Sequence, residues 1–162
     1  MARAPLAALV VAALAALIAC TPPPVTAYRD RSVPISSTTR FDPDRFAGRW
    51  QRTAAFDPAF LSSDCRTVTF TKASDIMAVA PCDGPESVAH DISPLGRLTP
   101  REGPDLWVLW VDEGFRTAVI GTPSGALGWV LERSGRTPPD RRAAARQVLD
   151  FNGYDLKRLI EG

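Results

Sequence analysis

The strongest constraint on this chain is a succession of short apolar runs, each closed by turn residues before it can complete a helix. Cys65-Arg-Thr-Val-Thr-Phe-Thr71 alternates with period two, and Ile76 to Cys82 follows after the polar link Lys72 to Asp75. Arg49 to Phe56 alternates more weakly. Leu106 to Val111 is a continuous apolar run that returns through Glu113-Gly114 as Phe115 to Ile120. Thr122-Pro-Ser-Gly125 is a further turn signal before Leu127 to Arg133. Successive strands joined by tight turns form an antiparallel meander, either a barrel or a sandwich. Glu86 to Leu98 is polar, broken by Pro94, and reads least clearly as strand.

Hydrophobic alternation also suggests a register for the 65–82 hairpin. With the turn centred between Ala73 and Ser74, Val68 faces Val79 and Phe70 faces Met77, so the larger apolar side chains share one face. The same register sets Cys65 opposite Cys82, which predicts a disulfide in a secreted protein. A metal site made from Cys65, Cys82 and His90 is one ligand short of structural zinc, and His90 is the only histidine of the chain.

The N-terminus supplies the secretion argument. Arg3 precedes thirteen uncharged residues, Leu6 to Ile18, a run too short to span a bilayer but suited to a signal peptide. It ends Leu17-Ile18-Ala19-Cys20, which resembles a bacterial lipobox. That resemblance implies a signal peptide over residues 1–19, acylation of Cys20 and, with Thr21 rather than Asp following, sorting to the outer membrane. Residues 20–39 carry Pro22, Pro23, Pro24 and Pro34 and read as a semi-rigid spacer. The folded domain is then 40–162. Removing residues 1–19 takes away Arg3 alone and leaves 18 basic against 18 acidic side chains, which gives no electrostatic footprint for nucleic acid.

A single long helix closes the chain. Thr137 can cap it, Pro138 suits its first position, Asp140 completes a capping pattern and Gly153 suits its stop. Ala144, Val148 and Phe151 form an apolar stripe, with Arg141, Arg142 and Arg146 on a solvated face.

These elements, in this order, resemble lipocalins. Phe46-Ala-Gly48-Arg-Trp50 looks like the family's Gly-x-Trp opening. Trp107-Val-Leu-Trp-Val-Asp112-Glu-Gly-Phe115-Arg116 with Ala118-Val-Ile-Gly-Thr-Pro123 is similar to the penultimate hairpin of bacterial lipoprotein lipocalins, and Gly128-Trp129-Val-Leu-Glu-Arg133 to their last strand. The resemblance implies an all-β, up-and-down barrel of seven or eight antiparallel strands with the C-terminal helix packed outside. It also implies that Arg133 stacks on Trp50 beside Gly48, closing one end of the barrel. Only eight residues separate Leu98 from Trp107, so the fifth strand is expected to be missing or very short and the cup smaller or collapsed.

The function implied is a non-enzymatic carrier of small hydrophobic molecules, fatty acids or lysophospholipids, tied to the membrane through Cys20. Candidate lining residues are Phe56, Val68, Phe70, Met77 and Val79. Trp107, Trp110 and Trp129 are further candidates whose facing the strand parity leaves open. Arg52 and Arg66 are candidates for pairing with a head group, or else solvated charges. A structural lipoprotein with a filled barrel and a protein partner is the competing expectation. No nucleophile elbow, zinc-protease, phosphate-loop or paired-Cys motif occurs, so neither a catalytic residue, a metal nor a cofactor is assigned. His90 and Asp91 are strand neighbours that point to opposite faces and make a poor dyad.

Overall fold

In the computed structural model, which describes residues 27–162, eight antiparallel strands close into a barrel. The strands are β1 (Gly48–Ala55), β2 (Thr67–Ala73), β3 (Ile76–Ala80), β4 (Val88–Ile92), β5 (Arg97–Pro100), β6 (Leu106–Val111), β7 (Thr117–Gly121) and β8 (Gly128–Glu132). Each pairs with its sequence neighbour, and β1 closes the ring by pairing with β2 through Gly48–Gln51 and with β8 through Gln51–Ala55. A two-residue strand, β9 (Ile160–Glu161), adds to the far end of β1. The signal peptide and Cys20 lie outside the described residues.

Three elements depart from the sequence reading. The fifth strand, expected to be missing or very short, is present. It is short, meeting β6 at only Arg97↔Trp107 and Leu98↔Leu106, yet it is enough to complete the wall. The β2–β3 hairpin pairs Phe70 with Val79 and Lys72 with Met77, two residues away from the expected register. Its turn falls on Ser74-Asp75, with Ser74 at φ 54°, so the backbone conformation at Ser74 sets the register. A slip of two keeps every side chain on its face, so Val68, Phe70, Met77 and Val79 still point inward. The Cys65–Cys82 disulfide forms nonetheless, just beyond the ladder, across Cα atoms 4.1 Å apart.

The third departure concerns the spacer, whose second half lies along the barrel. Tyr28 donates from its backbone to Gly125 O and Asp30 to Gly153 O, both at 2.8 Å. Arg29 is 7% exposed and donates to the carbonyls of Asn152, Pro123 and Val33. Thr38 then donates to Val108 O at 2.8 Å, and the chain passes beneath the barrel into the one-turn helix α1 (Pro43–Phe46).

That underside is the closed end. Asp42 caps α1, and Phe46, wholly buried, meets Phe70 edge-on at 4.9 Å. Trp50 donates from its indole to Phe46 O, and the Arg133 guanidinium lies 3.8 Å from its ring centroid. Arg133 also donates to the carbonyls of Arg45, Phe46, Ala47 and Arg49. Gly48 sits at φ 108°, where a Cβ would come 2.9 Å from Arg133 Nη1, so no larger residue fits under the guanidinium. Gly48, Trp50 and Arg133 thus meet at this end of the barrel.

The helix α2 (Pro139–Phe151) packs outside, across β6 and β7. Its buried residues are Ala145 and Leu149, with Val148 half-buried beside them, whereas Phe151 is 73% exposed. The apolar stripe is thus rotated by about one residue from the one expected. Thr137 does not cap the helix. Its hydroxyl meets Thr53 Oγ1 at 2.6 Å, and Pro138 occupies the cap position without a side-chain bond. Arg141 is not a solvated charge either, since it reaches Glu132 Oε2 at 3.3 Å and Thr117 Oγ1 at 2.5 Å.

The disulfide ties the start of β2 to the residue after Pro81 over a sequence separation of 17. A closed loop of that size restricts the unfolded chain by about 3 kcal/mol. The Cys65→Ser/Cys82→Ser variant is expected to unfold in urea with about that much less free energy and a slope equal to or slightly steeper than the parent's, and reductant should leave the variant's midpoint unmoved.

Candidate ligand cavity

Two bulges decide which side chains enter the barrel. In β1, the pairing with β8 steps from Arg52↔Leu131 to Ala54↔Val130, leaving Thr53 as the extra residue. Trp50 and Arg52 face inward before the bulge, and Ala55 after it. Phe56 is therefore turned outward, where it stacks on Tyr154 at 5.1 Å and Tyr28 at 5.4 Å. In β6, the pairing with β7 skips from Val108↔Ile120 to Trp110↔Val119. Leu106, Val108 and Val111 point in, and Trp107 and Trp110 both pack outside. Phe56, Trp107 and Trp110 are thus removed from the candidate lining set: Phe56 and Trp110 by a parity change at a bulge, Trp107 by plain alternation between inward Leu106 and Val108.

The closed half of the barrel is solid. Phe46, Trp50, Val68, Phe70, Met77, Leu98, Val108 and Ile120 fill it, none more than 1% exposed. Of the expected lining residues, Val68, Phe70 and Met77 belong to this packed layer. The open half keeps a cavity of about 260 Å³. Val79, Leu106, Leu127 and Trp129 form its apolar walls, Phe60 of the short 3-10 turn after β1 borders it, and Glu102, Gly103 and Pro104 stand at the β5–β6 loop. Of the expected set, Val79 and Trp129 alone line it. Leu106, Phe60, Leu127 and His90 are additions; Leu106 was legible as the start of an apolar run, and Phe60 had no periodic signal.

One basic side chain, His90, lines this space, and a second, Arg52, lies behind its wall against Trp129, Phe60 and Pro81. His90 is 4% exposed and donates from Nδ1 to Val88 O at 2.8 Å if that nitrogen carries the proton. Burial holds its imidazole pKa below the usual value, against the opposing pull of the Val88 and Met77 carbonyls and of Asp105. Arg52 is wholly buried. Its guanidinium carbon lies 4.0 Å from the Trp129 ring centroid and 4.9 Å from that of Phe60. Nη1 donates to Cys65 O and Thr67 O, and Nη2 to Pro81 O. Desolvation alone draws its pKa down to about 9, so Arg52 remains cationic at neutral pH. Arg66, the other head-group candidate, donates to Leu61 O away from the cavity walls.

A largely apolar cup with a cation beneath one wall can hold an amphiphile by burying its chain, each methylene contributing about 0.8 kcal/mol before ordering costs. His90 and Asp91 do not form a dyad, for Asp91 points to solvent.

Residues 87–162 match the family model of a lipocalin-like domain. A stretch of 55 residues is 31% identical to temperature-induced lipocalin-1 of Arabidopsis thaliana, covering 34% of this chain and 30% of that protein, less than a third of its length. In three dimensions the barrel is similar to lobster apocrustacyanin A1, with a TM-score of 0.54 at 13% identity over 73% of this chain and 77% of that one. It is similar also to apocrustacyanin C2, with a TM-score of 0.54 at 13% identity over 80% and 88% of the two chains. The chain has the lipocalin fold, and its residues 87–162 match the model of a lipocalin-like domain.

Proposed function

We propose that this protein is a lipid-anchored carrier of fatty acids or lysophospholipids on the periplasmic face of a bacterial outer membrane. The observation that carries the reading is the 260 Å³ apolar cavity in the open half of a barrel whose other half is packed solid. The general kind of ligand, a small hydrophobic molecule, is what the lipocalin family suggests. The anchor rests on the lipobox-like Leu17-Ile18-Ala19-Cys20. The described chain begins beside the cavity mouth, since Tyr28 bonds to Gly125 in the loop that also contributes Leu127 to the cavity wall. Seven residue steps from Cys20 to Ala27 reach at most about 25 Å, so acylation at Cys20 would hold the mouth within that distance of a bilayer.

A second reading, a structural lipoprotein that captures a protein partner, is favoured by the solid lower half and by a cavity below the usual ligand-pocket range of roughly 300–1,000 Å³. Displaceable ligand separates the two. A soluble form beginning after Cys20, purified without detergent, is expected to carry one acyl-chain molecule in native mass spectrometry and to quench Trp fluorescence when it is displaced. Val79→Phe, which fills the cavity from its wall, is expected to weaken acyl binding at least tenfold while the far-ultraviolet circular dichroism is retained. An empty protein silent to every added lipid selects the structural reading.

In the full-length chain, Cys20→Ala is expected to abolish incorporation of labelled palmitate and move the protein from the membrane pellet to the soluble periplasmic fraction. Unchanged membrane association would refute the anchor and leave the binding measurement standing.

A further inference from the structure

Among the described residues, Arg52 is the one strongly buried cation of the barrel interior that no carboxylate accompanies. Its three protein acceptors are carbonyls, all engaged by Nη1 and Nη2. Among the described residues, three buried side-chain nitrogens have no hydrogen-bond partner, and two of them, Arg52 Nε and Trp129 Nε1, belong to the same stacked pair. The third, Trp107 Nε1, lies on the outer face against Arg97. Of the five residues that hold the Arg52 guanidinium, Trp129, Phe60 and Pro81 line the cavity, and Cys65 and Thr67 lie behind it.

Buried donors without acceptors are costly, the more so for a charged group. Two on one stacked pair, beside an otherwise apolar cavity, mark the place where a ligand supplies the acceptor. The contrast with Glu132 sharpens this. That carboxylate, also buried, is matched by Arg141 and the Thr117 hydroxyl. Arg133, at the closed end, shares its charge among four carbonyls and keeps part of its side chain in solvent.

We propose that Arg52, with the indole N–H of Trp129, is a receptor for the carboxylate of a single-chain aliphatic acid that enters the barrel head first. This rests on the carrier reading and narrows its ligand class. The guanidinium is already desolvated and held by its stacking partners, so the ligand contributes only its own desolvation, and charge-assisted bonds to a fixed donor set discriminate strongly. A carboxylate is small enough to reach this depth. A lysophospholipid entering tail first would leave its phosphate at the mouth and both donors unmatched, and entering head first it would have to fit its whole glycerophosphate group into 260 Å³.

Calorimetric titration of the soluble form at pH 7.4 with decanoate and with decanol tests the assignment. Decanoate is expected to bind at least tenfold tighter than decanol. Because Arg52 also ties three backbone carbonyls together, the acid-to-alcohol ratio is read first in the unmodified protein and then in two variants. Arg52→Gln should bring the ratio close to one, and Trp129→Phe, which keeps a ring and deletes the N–H, should reduce it several-fold. Equal binding of acid and alcohol by the unmodified protein overturns the receptor and leaves the carrier reading intact. A preference that survives both variants places the receptor elsewhere and overturns it too. Failure of both ligands to bind overturns the carrier reading and the receptor together.

Discussion

Closure of this barrel depends on one eight-residue strand that must satisfy two neighbours. β1 gives its first half to β2 and its second half to β8, and it could not do both without turning along its length. The bulge at Thr53 provides the turn, since an extra residue on one strand raises local twist and bends the chain. Much of the molecule follows from it. Thr53 becomes free to meet Thr137, which fixes the start of the helix crossover. Phe56 is driven outward to join Tyr154 and Tyr28, so the second apolar cluster, under the helix and arm, is partly built from a residue that simple alternation assigns to the first. Arg52, one position before the bulge, stays inside.

The same chain treats its buried charges in three ways, and the differences separate stability from function. At the closed end, a cation over an indole face adds about 0.5–2 kcal/mol and joins the first strand to the last, at a site where solvent still reaches the guanidinium. On the helix side, Glu132 and Arg141 neutralise one another in a buried pair whose net energy is small but whose geometry fixes where α2 docks. Arg52 has aromatic faces and carbonyl oxygens yet no opposite charge. Packing alone would have been served as well by a leucine, without the desolvation cost of an unneutralised cation. A charge retained at such a cost is better explained by what enters the cavity than by what holds the barrel together.

Much of this architecture was legible from residues because period-two alternation, tight-turn chemistry and the Gly48/Trp50/Arg133 motif are local signals. The limits were equally physical. The pattern of Val68, Phe70, Met77 and Val79 fixes which face is buried but is indifferent to a two-residue slip, so it could not choose between two registers; the left-handed conformation at Ser74 does. Bulges carry no hydrophobic signature, so alternation alone turns Phe56 and Trp110 toward the cup, and both lie outside it. The fourth and fifth strands contain few apolar residues, His90 and Leu98 being their only fully buried positions, so alternation barely marks them. For Arg52, strand parity with Trp50 pointed inward while its charge suggested solvent, and only the packed environment of Trp129 and Phe60 resolves the conflict.

The arm links the site to the anchor. From Tyr28 at the mouth to Phe46 at the closed end, residues read partly as spacer run the length of the barrel and are fastened by Arg29, Ser36 and Thr38. A barrel hung from a wholly flexible tether would sample every orientation, and its mouth would meet a bilayer only part of the time. Fastening the arm removes that freedom from residues 28–46, and the described chain begins at the rim that bears the cavity. On the proposed anchoring at Cys20, the open half would then face the membrane and the solid half the aqueous space. A single-chain acid leaving the bilayer would have a short path to the cup, and the interior cation would reward arrival with the head group leading. Tether, mouth and buried charge would then serve one direction of entry, and the arm would contribute to function by what it prevents the barrel from doing.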